Sequence, residues 1–179
     1  MSGKREILGA PVTRGVGASL LLAIGLTLGG CAAQQPLETA AAATLPSLYW
    51  PMTTASAQVD AATARDMISA YRARSGGTPL RLDPELQKLA EAEAAAMAAA
   101  DRPSKAQTVR VAMERLGHPS AGANLSAGYH TLAEAFSGWR DSPAHNAVML
   151  SPEATRMGIA TAYAPNSKYR VYWALLVSK

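Results

Sequence analysis

The sequence predicts an α+β domain in which helices come first and antiparallel strands come last. From about residue 57 to residue 150, apolar residues recur at helical spacing in segments separated by Gly and Pro. After Ser151-Pro152 the pattern changes to two strand-like runs, 158–163 and 169–177, joined by a turn at 164–168. A run of helices followed by a hairpin is typical of a layered domain with the helices packed on an antiparallel sheet.

Two helices open the predicted domain, and a shorter one follows. Apolar residues repeat at helical spacing up to Tyr71, and Gly76-Gly77 ends that first helix. Asp83-Pro84 starts the second, because Asp is a good N-cap and Pro fits the first helical turn. Arg102-Pro103 ends it, and a third helix is expected at 109–116.

The segment before the hairpin predicts two short helices and one short strand. Thr131 and Glu134 have the spacing of a capping box, which starts one helix. Ser142-Pro143 starts the next, and the Ser142 hydroxyl is expected to bond backbone N–H groups there. Residues 123–128 form a candidate third strand.

The first thirty residues resemble a lipoprotein signal peptide. Basic residues stand at the front, and the uncharged run 16–28 is shorter than the roughly twenty residues that span a bilayer. Gly29-Gly30-Cys31 follows this run and resembles the lipobox. In a lipobox a lipid such as palmitate is attached to the cysteine, and cleavage leaves the cysteine as the first residue. An ordinary secretory signal and a plain transmembrane anchor are the alternatives. Ala32 rather than Asp favours the outer membrane, facing the periplasm.

Cysteine count and charge exclude several classes of protein. Cys31 is the single cysteine, so the chain has no intramolecular disulfide, thiolate cluster or CxxC redox pair. Without residues 1–30 the chain keeps 14 basic and 12 acidic residues (17 − 3 and 13 − 1). This near balance gives no reason to expect nucleic acid as a partner.

Residues 31–56 are predicted to be the lipidated N-terminus and a flexible tether, and residues 57–179 the folded domain. The tether is rich in Ala, Thr and Pro and has one charge, Glu38. Leu48-Tyr49-Trp50 interrupts this composition. Packing of these side chains on the domain is favoured, and contact with the bilayer surface is the alternative.

Motifs within residues 66–177 occur in one order and at regular spacing. They read ISAYR from Ile68 with TPL from Thr78, LQKLA from Leu86, ANLSAG from Ala123, WRDSPAH from Trp139 and MGIA from Met157. Together they resemble the CAP superfamily (SCP-like domain), and in particular its bacterial branch without disulfides. The resemblance implies a three-layer α-β-α sandwich with a small antiparallel sheet.

The resemblance also implies a groove in which many members hold a divalent cation with two His and two acidic residues. His145 matches the second histidine. Ala123 replaces a glutamate, Val148 replaces a common asparagine, and the first histidine would fall near Ser104-Lys105. His145 is thus the only matching ligand, so we predict no metal and no other cofactor.

The candidate groove or ligand-binding residues are His145, Asn124, Trp139, Ser142 and Glu134. His145 either bonds a strand backbone or Asn124, or contacts a ligand. Ser142 and His145 stand at i and i+3, so they could act as nucleophile and base, with Asp141 or Glu134 orienting the base. The alternative is that Ser142 and Glu134 cap helices. The aromatics, Trp139 among them, line an apolar groove or pack in the core.

These observations predict a membrane-anchored lipoprotein of the bacterial cell envelope, bound to the membrane through its N-terminal lipid. Its domain is expected to bind a lipid or other apolar small molecule, a wall component or an envelope protein, without catalysis. One alternative is a metal- or His-dependent hydrolase of the envelope. Another is a structural spacer without a ligand.

Overall fold

The structure, a computed structural model, describes residues 45–179. The predicted signal peptide, Cys31 and most of the predicted tether lie outside these residues. Within residues 45–179, no helix has the length and apolar character needed to cross a membrane.

Within residues 45–179, five α-helices and four strands follow a 3-10 turn at Ser47–Tyr49, and the five helices and three of the strands were predicted in this order. The helices are α1 (Ala61–Arg74), α2 (Pro84–Ala100), α3 (Ala106–Arg115), α4 (Leu132–Asp141) and α5 (Pro143–Met149). The strands are β1 (Arg81–Leu82), β2 (Gly122–Ala127), β3 (Arg156–Tyr163) and β4 (Val171–Ser178). The predicted α+β class is confirmed.

The strands form one sheet in the order β1-β3-β4-β2. Strands β3 and β4 pair antiparallel as the predicted hairpin, with Ile159 opposite Leu175, and β2 pairs antiparallel with β4. The two-residue strand β1 was not predicted, and it pairs parallel with the start of β3. The sheet is therefore antiparallel except at this short edge.

Helices cover both faces of the sheet, which gives the three-layer sandwich. Alternate residues of β4 face opposite layers: Trp173 and Leu175 pack in one core cluster with α1, α4 and α5, whereas Tyr172 and Leu176 pack in another with α2 and α3. Every residue of β4 is buried, because the strand is covered on both faces and paired on both edges. Burial on both faces explains why β4 reads as a nearly continuous apolar run.

The packed domain begins before residue 57. Met52 is 3% exposed and lies in the core cluster of α1 and α4, and its N–H donates to the carbonyl of His130 at 2.8 Å. Part of the predicted tether therefore packs on the domain, because Met52 supplies an apolar side chain that the core accommodates.

Helix α2 begins as its sequence predicts and packs very closely on β3. Asp83 accepts hydrogen bonds from the N–H groups of Glu85 and Leu86, both at 2.9 Å, and Arg156 of β3 donates to its other oxygen at 3.0 Å. These bonds lower the pKa of the Asp83 carboxyl below its ordinary value. The side-chain amide of Gln87 both donates to and accepts from the backbone of Ile159, so it substitutes for a neighbouring strand at that edge of β3.

Candidate functional site

A groove of about 370 Å³ opens beside the edge strand β2, between α3 and α5. Its lining residues are mostly small: Arg110 from α3, Ser120, Ala121 and Gly122 at the start of β2, and Ala144, Ala147, Val148 and Ser151 at α5. The sequence did not single out this groove, because alanines at an exposed helix face carry no recognisable motif.

Close packing of Val148 on Gly122 forms the floor of the groove. A Cβ atom at Gly122 would lie 2.8 Å from a methyl of Val177 and 3.0 Å from a methyl of Val148. Val148 is the position at which the family resemblance expects asparagine. An apolar side chain therefore occupies this place, and the groove has an apolar floor.

Arg110 supplies the charge at the rim of the groove. Its Nε–H donates to the carbonyl oxygen of Ala121 at 2.9 Å, and its side chain is exposed. This bond fixes the guanidinium against the outer edge of β2 while part of the group still faces solvent. An apolar groove with a cation at its rim suits a ligand that has an apolar body and an acidic or hydrogen-bond-accepting end.

Asn124 and His145 meet beside the groove, although neither lines it. The Asn124 side-chain amide donates to the backbone carbonyl of His145 at 3.0 Å, which ties β2 to α5. One of the predicted alternatives paired Asn124 with the His145 ring, whereas the structure pairs it with the His145 backbone. Asn124 is fully buried and His145 is half-buried.

Two polar atoms at this junction lack a hydrogen-bond partner within residues 45–179. They are the buried Oδ1 of Asn124 and the buried Nδ1 of His145. Burial also lowers the pKa of His145 below its ordinary value, so the imidazole is neutral at neutral pH. An unsatisfied buried acceptor and ring nitrogen are expensive in a purely structural site, and such atoms are common where a ligand or proton is handled.

Ser142 lies at the first position before α5, but the cap predicted for its hydroxyl is wrong. The Ser142 side chain makes no cap hydrogen bond with α5. Ser142 is the single residue between α4 and α5, so it is at once the C-cap of one helix and the N-cap of the other. Its backbone is set by the junction of two helices, and its hydroxyl does not make the cap bonds that Asp83 makes before Pro84 at the start of α2.

Glu134 is committed to the start of α4, as the capping-box alternative predicted. Thr131 accepts a hydrogen bond from the N–H of Glu134 at 3.2 Å, and the Glu134 carboxylate accepts one from the N–H of His130 at 2.7 Å. In a standard box the carboxylate would reach the N-cap residue itself. Here it reaches one residue further back, and no hydrogen bond or ion pair joins it to His145 within the described chain.

Trp139 is a core residue. It is completely buried, its indole N–H donates to the Ser126 hydroxyl at 3.0 Å, and it packs edge to face on Trp173 at 6.1 Å between ring centroids. Tyr172 and Trp173 are buried as well. For these three aromatics, core packing is therefore the alternative that the structure shows.

Acidic and histidine side chains do not converge on a metal site in the described part of the chain. Within residues 45–179, no three His, Cys, Asp or Glu side chains come together in a group that could hold a metal ion. The Nε2 atom of His118 lies 4.0 Å from a carboxylate oxygen of Glu85, and these two side chains are too few to form a metal-ligand set.

With this geometry in view, the family of the protein follows from comparison with known proteins. The sequence model of the cysteine-rich secretory protein family, CAP, matches residues 65–177. This match covers more than half of the chain, and the chain belongs to the CAP family. A search of curated proteins finds no match to the sequence.

The solved structures that share the fold include three bacterial proteins. The chain is similar to an outer surface protein from Borrelia burgdorferi, with 16% identity and a TM-score of 0.57, over 66% of this chain and 90% of that one. It is also similar to a cysteine-rich secretory protein from Staphylococcus aureus, with 15% identity and a TM-score of 0.50 over 65% of this chain. The third is an extracellular SCP-domain protein from Bacillus anthracis, with 19% identity and a TM-score of 0.53 over 66% of this chain. The chain spans only 37% and 40% of the latter two chains.

Proposed function

We propose that this protein is a lipid-anchored envelope protein whose CAP domain binds a ligand in the groove between α3 and α5 without transforming it. The observation that carries the proposal is the lining of that groove. Small and apolar residues, among them Ala147 and Val148, line it, and Arg110 stands at its rim. A groove of this kind offers volume, apolar surface and one cation, but no set of catalytic groups.

The envelope location rests on the sequence before the domain. The order of basic residues, short apolar run, Gly29-Gly30 and Cys31 supports export and attachment of lipid at the cysteine. The names of the structural neighbours, an outer surface protein, a secretory protein and an extracellular protein, are consistent with this location. Attachment to the outer membrane, facing the periplasm, follows from Ala32 as the residue after the cysteine.

Metabolic labelling tests the anchor. Cells that express the full chain and receive labelled palmitate are expected to incorporate label into the wild-type protein and not into Cys31→Ala. Absence of label from the wild type, or label that persists in Cys31→Ala, would refute lipid attachment at this residue. The CAP fold of the domain would be unaffected by either result.

Native purification tests the groove. The full chain, extracted from membranes without unfolding, is expected to carry a reproducible lipid, wall fragment or envelope protein detectable by mass spectrometry. Ala147→Phe places an aromatic ring in the groove from an exposed position, so the companion should fall at least about tenfold, which corresponds to roughly 1.4 kcal/mol of binding.

Ala70→Phe is the matched control for this experiment. Ala70 is an exposed alanine of α1 and does not line the groove, so this variant should keep the companion. The groove proposal fails if both variants lose the companion equally or if the wild type carries none.

A metal- or His-dependent hydrolase is the second candidate, and the junction of Asn124 and His145 is the observation that favours it. The His145 ring, whose Nδ1 has no partner within residues 45–179, follows by three residues a serine whose hydroxyl does not cap α5, and this ring could act as a base. Stoichiometric metal in the purified protein that disappears in His145→Ala, or hydrolysis that disappears with it, would favour this candidate over binding.

A further inference from the structure

Three exposed apolar side chains lie together in sequence at the start of the described domain. Leu45 is 62% exposed, Tyr49 is 52% exposed and Trp50 is 46% exposed. The indole N–H of Trp50 donates to the carbonyl oxygen of Leu45 at 2.8 Å, so the two ends of this short segment are held together. We call these three residues the aromatic platform.

The platform is held by a turn that is fixed to the domain on its other side. The Ser47 hydroxyl contacts the carboxylate of Asp60 at 2.8 Å and the hydroxyl of Thr63 at 2.7 Å. Leu48 packs against the core cluster of α1 and α4. Asp60 also caps α1, and these hydrogen bonds lower its pKa to about 2, so the carboxylate remains charged and the attachment persists at all ordinary pH values.

Alternation of anchored and exposed residues therefore orients the platform. Leu48 and Met52 turn towards the core, whereas Tyr49 and Trp50 remain outside it. The sequence prediction that Leu48-Tyr49-Trp50 packs on the domain holds for Leu48 alone.

We propose that the aromatic platform docks on the surface of the bilayer that holds the Cys31 lipid, and this proposal rests on the lipid anchor proposed above. Leu45 lies fourteen positions after Cys31 (45 − 31), and this length of chain spans at most about 50 Å when fully extended. The platform is thus the first part of the described domain to follow the anchor along the chain. Tyr and Trp are the side chains that concentrate at membrane interfaces, because their rings combine an apolar body with a polar group.

The small size of the platform favours a bilayer over a protein partner. Stable protein interfaces bury at least about 1,200 Å² in total, which three half-exposed side chains do not supply. Docking on a bilayer needs much less, because an inserted lipid already confines the domain near the surface and makes the second contact intramolecular. The lipid and the platform together then hold the domain against the membrane, and the domain does not move over the full length of the tether.

The distribution of tryptophans gives a direct test. The sequence has three Trp, and Trp139 and Trp173 are completely buried, so Trp50 is the tryptophan that lipid can reach. The lipoprotein purified from membranes would be reconstituted in vesicles of phosphatidylethanolamine and phosphatidylglycerol, with and without lipids brominated high on the acyl chain. The fluorescence emission of Trp50 is obtained by subtracting the tryptophan emission of Trp50→Phe from that of the wild type.

We expect brominated lipid to remove roughly half or more of the Trp50 emission, as for a ring held at the interface. Leu45→Ser combined with Tyr49→Ser should reduce that quenching about twofold or more, because Trp50 alone holds less well. Leu116→Ser is the control: Leu116 is 64% exposed at the end of α3, outside the platform, and its replacement should leave the quenching unchanged.

Three results would overturn the proposal. Flotation of the vesicles distinguishes failure of the platform from failure of the anchor. Protein that floats with the vesicles while Trp50 stays unquenched and open to aqueous acrylamide would refute the platform alone. Protein that does not float would refute the anchor and the platform together. Self-association in detergent that disappears in Tyr49→Ser would assign the platform to a second copy of the chain.

Discussion

At the scale of single residues, Arg72 shows how a charge can serve the fold without an ion pair. Its guanidinium is completely buried and donates to four backbone carbonyls, those of Thr78, Met149, Ser151 and Ala154, at 2.7 to 3.0 Å. These carbonyls belong to chain segments far apart in sequence, so one side chain joins α1 to the end of α5 and the loop after it. The fork geometry of arginine permits this, and lysine could not replace it.

His145 gives the residue-scale prediction. Its pKa is lowered by burial, so between the folded and unfolded pKa values the unfolded chain binds the proton more readily than the folded one. The contribution of this residue to stability is therefore complete above the unfolded pKa of about 6.5 and is lost as the pH falls below that value. Urea unfolding of the wild type at a series of pH values should show this loss, and His145→Gln should lack it.

His130→Gln is the matched variant for this measurement, because it replaces an exposed histidine outside the junction of Asn124 and His145 by the same residue. An identical pH dependence in His145→Gln and the wild type would contradict the assignment of a buried neutral imidazole at position 145.

None of the five predicted site residues lines the groove between α3 and α5. Two of them, Asn124 and His145, meet beside it as one of the alternatives expected, but through the histidine backbone and not through the ring. The Ser142 cap failed because a residue shared by two helices obeys the geometry of both. The groove lined by Ala147 and Val148 could not be predicted, since its shape depends on how α3 and α5 pack across β2.

At the scale of elements, a glycine permits the close packing of α2 on β3. A Cβ atom at Gly158 would fall on the backbone of Leu86 and Gln87. Backbone cannot rotate away as a side chain can, so Gly158→Ala has to push α2 off the sheet. We expect the free energy of unfolding, measured with urea, to fall by about 3 kcal/mol.

Gly138→Ala in α4 is the matched comparison. The atoms nearest to a Cβ there would be the hydroxyl and two ring carbons of Tyr129, which belong to a side chain that can rotate away, and alanine favours the helix by about 1 kcal/mol. The net change should stay within about 1 kcal/mol. Equal losses of stability in the two variants would show that close packing of α2 on β3 is not what Gly158 provides.

The helices and the hairpin could be predicted because their signals are local. Asp83-Pro84 starts α2, Thr131 and Glu134 start α4, and both strands of the hairpin form apolar runs. Strand β1 is two exposed residues, too short for any periodic pattern, and it exists because the chain between α1 and α2 passes beside β3. Its pairing is a consequence of tertiary packing, which the local sequence does not report.

At the scale of the whole molecule, the chain combines a family fold with changes at the family's site. The sandwich, the order of its elements and the match over residues 65–177 are those of a CAP domain. Ala123 and Val148 stand where the resemblance expects a glutamate and an asparagine, and both are accommodated by apolar packing. The persistence of the fold while these polar groups change is consistent with the binding role proposed for the groove.

Hydrogen exchange of the whole protein tests this binding role most directly. The chain purified natively from membranes would be compared, by mass spectrometry of its peptides, with the same chain stripped by unfolding and refolding. A ligand in the groove should slow amide exchange in the native sample at α3, α5 and the start of β2, and leave α1 unchanged. Identical exchange in both samples at α3, α5 and β2 would contradict the account.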